Sequence, residues 1–287
     1  MKDRISARLE RKAGLPGLLE GLVTRLGGAD LNSLLLEVFR RKAARISPAE
    51  LLMQYQGNRL VQPSALDMIG LLELELQVLR LLRERGFVPV ELSPAAALGS
   101  CSVVATVDQR KVISALRNTE IVADATNALA LHIAASVRAS GGDRGEVSSG
   151  LDTGNHVFEC DKLLEQLRVL FELLRGEMGL RALRLVLKRR GGYDERSPLI
   201  DRVYEHLVRE LPGEEIARED APADNAYYKG IQFKIYALAG ERVWEIADGG
   251  FVDWTQQLLG NRKERLLISG FGLEWLYKIR AAPEGAA

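Results

Sequence analysis

Two short stretches carry the side chains most able to hold a small polar molecule. One is Asp224-Asn225-Ala226-Tyr227-Tyr228-Lys229-Gly230, which leads into the alternating run Ile231 to Ile235. Adjacent residues of an extended chain point to opposite faces, so one tyrosine is expected to face a cleft and the other the core. The second stretch is Asp124-Ala125-Thr126-Asn127, placed where a predicted strand turns into a helix. Any of its polar side chains can cap that helix. The same corner can project a carboxylate into a site. Other chemistry is poorly supplied. The three histidines (His132, His156 and His206) lie far apart and carry no metal-ligand spacing, and two cysteines (Cys101 and Cys160) are too few for a disulfide framework or a four-cysteine zinc site. No phosphate-loop spacing and no G-x-S-x-G nucleophile motif occurs, the glycines of GGADLN and RGGYD included.

The bulk numbers narrow the class. A 47% hydrophobic content over 287 residues supplies a sizeable core. Lys+Arg and Asp+Glu are both 39, so the chain is formally neutral and lacks the basic excess of a strong nucleic-acid binder. The charged start MKDRISARLERK has no apolar signal-peptide core, and no apolar run reaches the roughly 20 residues of a membrane-spanning helix. A cytoplasmic protein with two unreactive thiols, no membrane association and no nucleic-acid partner is expected.

The elements that must position the two stretches follow from periodicity. Residues 1–62 read as a helical extension; DLNSLLLEVFRRKAARI places Leu31, Leu34, Leu35 and Val38 at helical spacing. Ser47-Pro48-Ala49-Glu50 is a helix start, with a capping serine, a first-turn proline and a glutamate three residues on. Pro63 and Ser64 open a longer helix over 64–85, apolar around most of its circumference, which predicts burial on more than one side and a second copy of the chain as partner. Strands are expected near 87–94, 101–107 and 119–123, then a helix over 126–138. A Gly/Ser-rich loop or hairpin precedes a helix over 161–176. ALRLVLKRR is a strand, Ser197-Pro198 opens a helix to about 211, and 212–225 reads as an exposed loop. The last part is strand-rich: YYKGIQFKIYAL, ERVWEIADGG and LLISGFG, followed by the helix LEWLYKIR. Helices in front of a mostly antiparallel sheet make an α+β domain over 63–287.

The order of these elements and their motifs resembles the core of class II aminoacyl-tRNA synthetases, above all histidyl-tRNA synthetase and its paralogue, the regulatory subunit of ATP phosphoribosyltransferase. Ile121 to Thr126 resembles the L-R-P-[ED]-x-T corner. Ala223 to Tyr228 resembles R-G-L-D-Y-Y, followed by a small residue and a glycine. Gly249-Gly250-Phe251-Val252-Asp253 resembles G-G-R-Y-D, and Gly272 to Leu276 resembles the motif 3 sequence G-L-E-R-L. Arg144-Gly145-Glu146, then His156-Val157-Phe158-Glu159, resembles motif 2. The resemblance implies a class II fold, with the ligand-binding set Asp124, Thr126, Tyr227, Tyr228, Gly249, Gly250, Asp253 and Glu274. Asp124 would hold an amino group, and Arg144 would be the candidate for a phosphate. It covers roughly residues 63–277, with neither the synthetase's inserted domain nor an anticodon-binding domain expected.

The departures share one chemistry. Where the family has arginines before the tyrosine pair, in G-G-R-Y-D and in motif 3, this chain has Ala223, Phe251 and Trp275. Adenylate formation needs cations on a transferring phosphoryl group, and loss of one such donor typically costs on the order of 100- to 1000-fold in rate. The reading is therefore a non-catalytic paralogue that binds an amino-acid-like ligand, regulates a partner enzyme, or both, acting as a homodimer. The alternative is an ATP- and Mg²⁺-dependent ligase in which Arg144, Lys229 or Arg110 replaces the lost cations. A structural or RNA-associated role is the third, disfavoured by neutral charge.

Overall fold

In a computed structural model of the chain, the described residues are 2–141, 149–192, 198–220, 227–239 and 242–281. They form two compact units, one of residues 1–64, 94–98 and 110–121, the other of residues 65–93, 99–109 and 122–287.

In the first unit, α1 (Lys2–Ala13), α2 (Leu18–Thr24), α3 (Gly28–Ala43) and α4 (Pro48–Gly57) follow one another with short connections. The predicted start of α4 forms as a capping box. Ser47 Oγ accepts from the Glu50 amide at 3.2 Å, and Glu50 Oε2 accepts from the Ser47 amide at 2.8 Å. β1 (Ala95–Ala97), β2 (Ser114–Ala115) and β3 (Thr119–Ile121) make a small antiparallel sheet in the order β1-β3-β2. Asn32 of α3 ties to its turn: Nδ2 donates to Asn118 Oδ1 at 3.0 Å, and Oδ1 accepts from the Arg117 amide at 3.0 Å.

The second unit is built on a six-stranded sheet. Its strands are β4 (Ser149–Leu151), β5 (Leu183–Arg189), β6 (Glu215–Glu219), β7 (Lys229–Ala239), β8 (Arg242–Val252) and β9 (Glu264–Phe271), in the order β4-β9-β8-β7-β5-β6. All neighbours are antiparallel except β5 and β6, which are parallel. Its helices are α5 (Met68–Glu84), α6 (Ala125–Ala139), α7 (Val157–Glu172), α8 (Leu199–Glu210), α9 (Trp254–Leu259) and α10 (Leu273–Ala281).

Strand alternation sorts the two faces. Ile231, Phe233, Ile235 and Ala237 of β7 join Leu183, Leu185 and Leu187 of β5 in a core packed with apolar side chains of α5, α7, α8 and α10. A second, smaller cluster holds Ala130, Ile133 and Val137 of α6, Trp254 of α9, Leu266 and Ile268 of β9, and Tyr228.

Several expected elements differ. The predicted strand over 87–94 is irregular, and 100–104 is a π-helical turn rather than a strand. Both segments have short apolar runs, which fit a strand or a buried turn equally well. The loop read over 212–225 contains β6, whose Glu215, Arg218 and Glu219 mask its pairing capacity behind charge. Its parallel partner β5 supplies the ladder that local sequence cannot show. The long helix begins at Met68 rather than at Ser64, capped by Asp67, whose carboxylate accepts from the amides of Ile69 at 3.1 Å and Gly70 at 3.2 Å. No helix among the described residues is long and apolar enough to cross a membrane.

Candidate functional site

Asp124 stands where β3 gives way to α6 and caps the helix. Its Oδ1 accepts from the Thr126 amide at 2.9 Å and from Thr126 Oγ1 at 2.6 Å. Its other oxygen, Oδ2, accepts from Tyr227 OH at 2.6 Å. The capping role and the projecting carboxylate are thus one residue: Oδ1 serves the cap, while Oδ2 accepts one bond from the tyrosine and keeps a second lone pair.

The tyrosines do not alternate as expected. Tyr227 and Tyr228 occupy a bend, β7 starts only at Lys229, and a bulge separates Lys229 from Gln232. Gly230 sits there at φ 69°, the left-handed region a side chain resists. The bend swings both rings to one side, with centroids 4.8 Å apart and edge-on. Tyr227 in turn meets the Trp254 ring edge-on at 5.2 Å. Both hydroxyls are engaged by carboxylates. Tyr228 OH donates to Asp248 Oδ2 at 3.0 Å. Burial, reinforced by Asp124, pushes the Tyr227 phenol well above its ordinary range; burial and the Asp248 charge do the same to Tyr228. Both phenols are neutral donors at neutral pH and hold their carboxylates in place.

Gly249 and Gly250 lie opposite Phe233 and Gln232 in the β7–β8 register. A Cβ at Gly249 would stand 2.5 Å from the Phe233 ring, and one at Gly250 would stand 2.8 Å from the Tyr228 ring. Each glycine lets an aromatic ring lie across the strand, so the Gly-Gly pair seats Tyr228 beneath the carboxylate corner. Asp253, at the start of α9, pairs with Lys229 Nζ at 3.5 Å. Glu274 is exposed in the first turn of α10 and joins none of these hydrogen bonds among the described residues. Arg144 and Ala223 lie outside the described residues, and Arg110 belongs to the first unit.

Three residues that sequence reading passed over complete the network. Gln232 Nε2 donates to Asp248 Oδ2 at 3.3 Å, and Gln232 Oε1 accepts from Arg190 Nε at 3.1 Å and from Arg190 Nη2. The available signal was polarity out of place. Gln232 interrupts an apolar strand, and Asp248 precedes the Gly-Gly pair in another.

Two of the positions where the resembled family has arginines, Phe251 and Trp275, make aromatic contacts. Phe251 is 1% exposed and meets the Phe158 ring at 6.5 Å. Trp275 meets Trp244 at 5.0 Å. Glu159, from the motif 2-like stretch, is buried and paired with Arg265 Nε at 3.0 Å, while Arg265 Nη2 reaches Asp152 at 2.6 Å. Cys160 is no candidate nucleophile: burial, aided by Asp161 and Glu159, pushes its thiol up to about 11. No group of three His, Cys, Asp or Glu suited to a metal ion occurs among the described residues.

This arrangement sits on a fold already known from solved structures. The chain is similar to an ATP phosphoribosyltransferase regulatory subunit/histidyl-tRNA synthetase from Bacillus halodurans, with TM-score 0.59 and 12% identity over 77% of this chain and 82% of that one. It is similar to apo histidyl-tRNA synthetase from S. aureus, with TM-score 0.56 and 11% identity over 76% and 68%. The fold is that of the class II aminoacyl-tRNA synthetase core. A third likeness, to a structure described as the RNA binding domain of threonyl-tRNA synthetase from Cryptosporidium parvum, has TM-score 0.55 and 11% identity over 74% of this chain and 64% of that one. No protein-family model and no curated protein matches the sequence. The class II topology explains why the corner after β3, the bend before β7 and the Gly-Gly segment of β8 converge, although they are more than a hundred residues apart at the extremes.

Proposed function

We propose that this chain is a non-catalytic relative of the histidyl-tRNA synthetase core that binds a small amino-acid-like ligand at the corner formed by Asp124 and Tyr227. One observation carries the reading. The carboxylate–tyrosine corner is assembled, while Phe251 and Trp275, standing where the resembled family has arginines, are committed to aromatic packing. A buried phenyl ring and an indole offer no charge to a transferring phosphoryl group. Asp124, Thr126, Tyr227 and Tyr228 form the ligand-facing group. Gly249 and Gly250 shape it, and Asp253 holds Lys229 beside it.

Regulation of a partner enzyme belongs to the same proposal and draws on the likeness to the regulatory-subunit structure. A homodimer is proposed with it, because α5 exposes Ile69, Leu72 and Leu76 while burying only Leu74 and Val78. Isothermal titration of the full chain with the twenty amino acids, with and without ATP and Mg²⁺, tests the reading. Binding of one or a few amino acids without pyrophosphate release is expected. Pyrophosphate release that depends on an amino acid and is lost in Arg144→Ala would replace it with the ligase reading. Sedimentation of a monomer at micromolar concentration would remove the dimer.

A further inference from the structure

Arg190 is a buried cation whose charge no carboxylate pairs among the described residues. It follows β5 and is 9% exposed. Its backbone is fixed: the Arg190 amide donates to Gly230 O at 2.7 Å, and the Gly230 amide donates to Gly191 O at 2.8 Å, so the end of β5 is clamped to the bulge of β7. Its side chain is aimed by Gln232, which is 3% exposed and accepts from both Nε and Nη2. Nη1 is buried and has no hydrogen-bond partner among the described residues. A guanidinium does not shed its proton at any pH the protein meets. Burial of an unpaired charge is costly, and an oxyanion on its fork offsets much of that cost. Gln232 fixes the fork but contributes no negative charge.

The same amide links Arg190 to the acidic part of the network. Gln232 donates to Asp248 Oδ2, which also accepts from Tyr228, and Tyr228 touches Tyr227 on Asp124. Asp248 Oδ1 takes no hydrogen bond among the described residues. Along one chain of contacts the molecule therefore presents a cation with an unused N–H edge and two carboxylates with remaining acceptor capacity. A ligand bearing both an oxyanion and an ammonium group complements that order.

We propose that Arg190 is the anion-binding residue of this site and takes the carboxylate of the ligand, replacing in role the cations absent at Ala223, Phe251 and Trp275. This rests on the amino-acid reading given above. An inorganic phosphate offers the same oxyanion chemistry, and the test separates the two sources. Titrations at constant ionic strength use wild type, Arg190→Gln and Arg190→Lys against the twenty amino acids, their carboxamides, their decarboxylated amines and inorganic phosphate. The expected result is that Arg190→Gln weakens amino-acid binding by roughly 10- to 100-fold, the scale of a charge-assisted pair. Its affinity for the matching amine stays unchanged, and Arg190→Lys recovers part of the loss. Wild type alone gives a second readout that needs no variant: the carboxamide binds more weakly than the acid by a similar factor. Equal binding of acid and carboxamide, or equal acid binding by wild type and Arg190→Gln, overturns the Arg190 assignment and leaves the ligand reading standing. Phosphate that raises the melting temperature of wild type but not of Arg190→Gln, with no amino acid bound, supports the anion site and sinks the amino-acid reading. If wild type binds neither an amino acid nor phosphate, the assignment is overturned outright.

Discussion

The two sides of the β7–β8 ladder show how one sheet can serve two purposes. On one side Phe233, Ile235, Leu185 and Leu187 are wholly buried in hydrocarbon contributed by four helices. On the other, Tyr228, Gln232 and Asp248 form a polar chain that runs on to Arg190. The first side is redundant: many apolar side chains share the work, and its energy follows buried area. The second is specific. Each polar group there depends on a named partner, and the loss of one leaves another unsatisfied. The apolar side should therefore set stability, and the polar side should set what the protein recognises.

Truncation on the apolar side is the strongest test of that division. Phe233→Ala is expected to cost about 3–5 kcal/mol in urea unfolding, because it removes a fully buried ring and opens a cavity. A loss below 1 kcal/mol would show that the sheet does not depend on this face. Gly250→Ala tests the seam between the two sides. Its new Cβ would stand 2.6 Å from Ile231 O and 2.8 Å from the Tyr228 ring, and a cost of about 1–3 kcal/mol is expected. Ligand affinity should fall with it, since Tyr228 must move.

On the polar side, Tyr228→Phe removes one donor to Asp248 while Gln232 remains, so a cost of about 1.5 kcal/mol is expected in the same assay. A larger change in ligand affinity than in stability would sharpen the contrast; the reverse would blur it. The pH dependence follows from the raised phenols. Each tyrosine is neutral in the folded protein beyond the pH at which an unfolded tyrosine, near 10, ionises. Stability from this source is fully present below pH 10 and declines as pH rises above it, because the unfolded chain sheds protons that the folded one keeps. Melting temperature recorded from pH 8 to 11 should show the decline in wild type and a shallower one in the Tyr227→Phe/Tyr228→Phe double variant. At the small end, Lys234–Glu245, a 2.7 Å pair across β7 and β8 with a partly exposed glutamate, is expected to contribute at most about 0.2–1 kcal/mol in a double-mutant cycle, falling with salt.

Much of the fold was legible because hydrophobic periodicity is a local signal. The alternation of Ile231, Phe233 and Ile235 marks β7, and the capping box at Ser47 marks α4. β6 was missed because its charged residues earn strand geometry only from β5, thirty residues earlier. Part of the candidate site was legible as well. Asp124, Thr126 and the tyrosines stand out by type and by motif order, and the structure joins Asp124, Thr126 and Tyr227 by direct hydrogen bonds. Arg190, Gln232 and Asp248 were not, since an arginine that closes the basic run Lys188-Arg189-Arg190 gives no sign of burial until a glutamine forty-two residues on is seen to hold it.

By itself, the sequence determined the residue types of the corner, the loss of arginine at Ala223, Phe251 and Trp275, and the order of elements that announces a class II core. Only tertiary structure decided where the tyrosines point. Alternation holds for a strand, and Tyr227 and Tyr228 precede the strand in a bend set by the Gly230 bulge, so both rings turn the same way. It also decided that one arginine is buried with an N–H group that has no partner among the described residues. Burial is a property of everything packed around a side chain, and no window of sequence contains it.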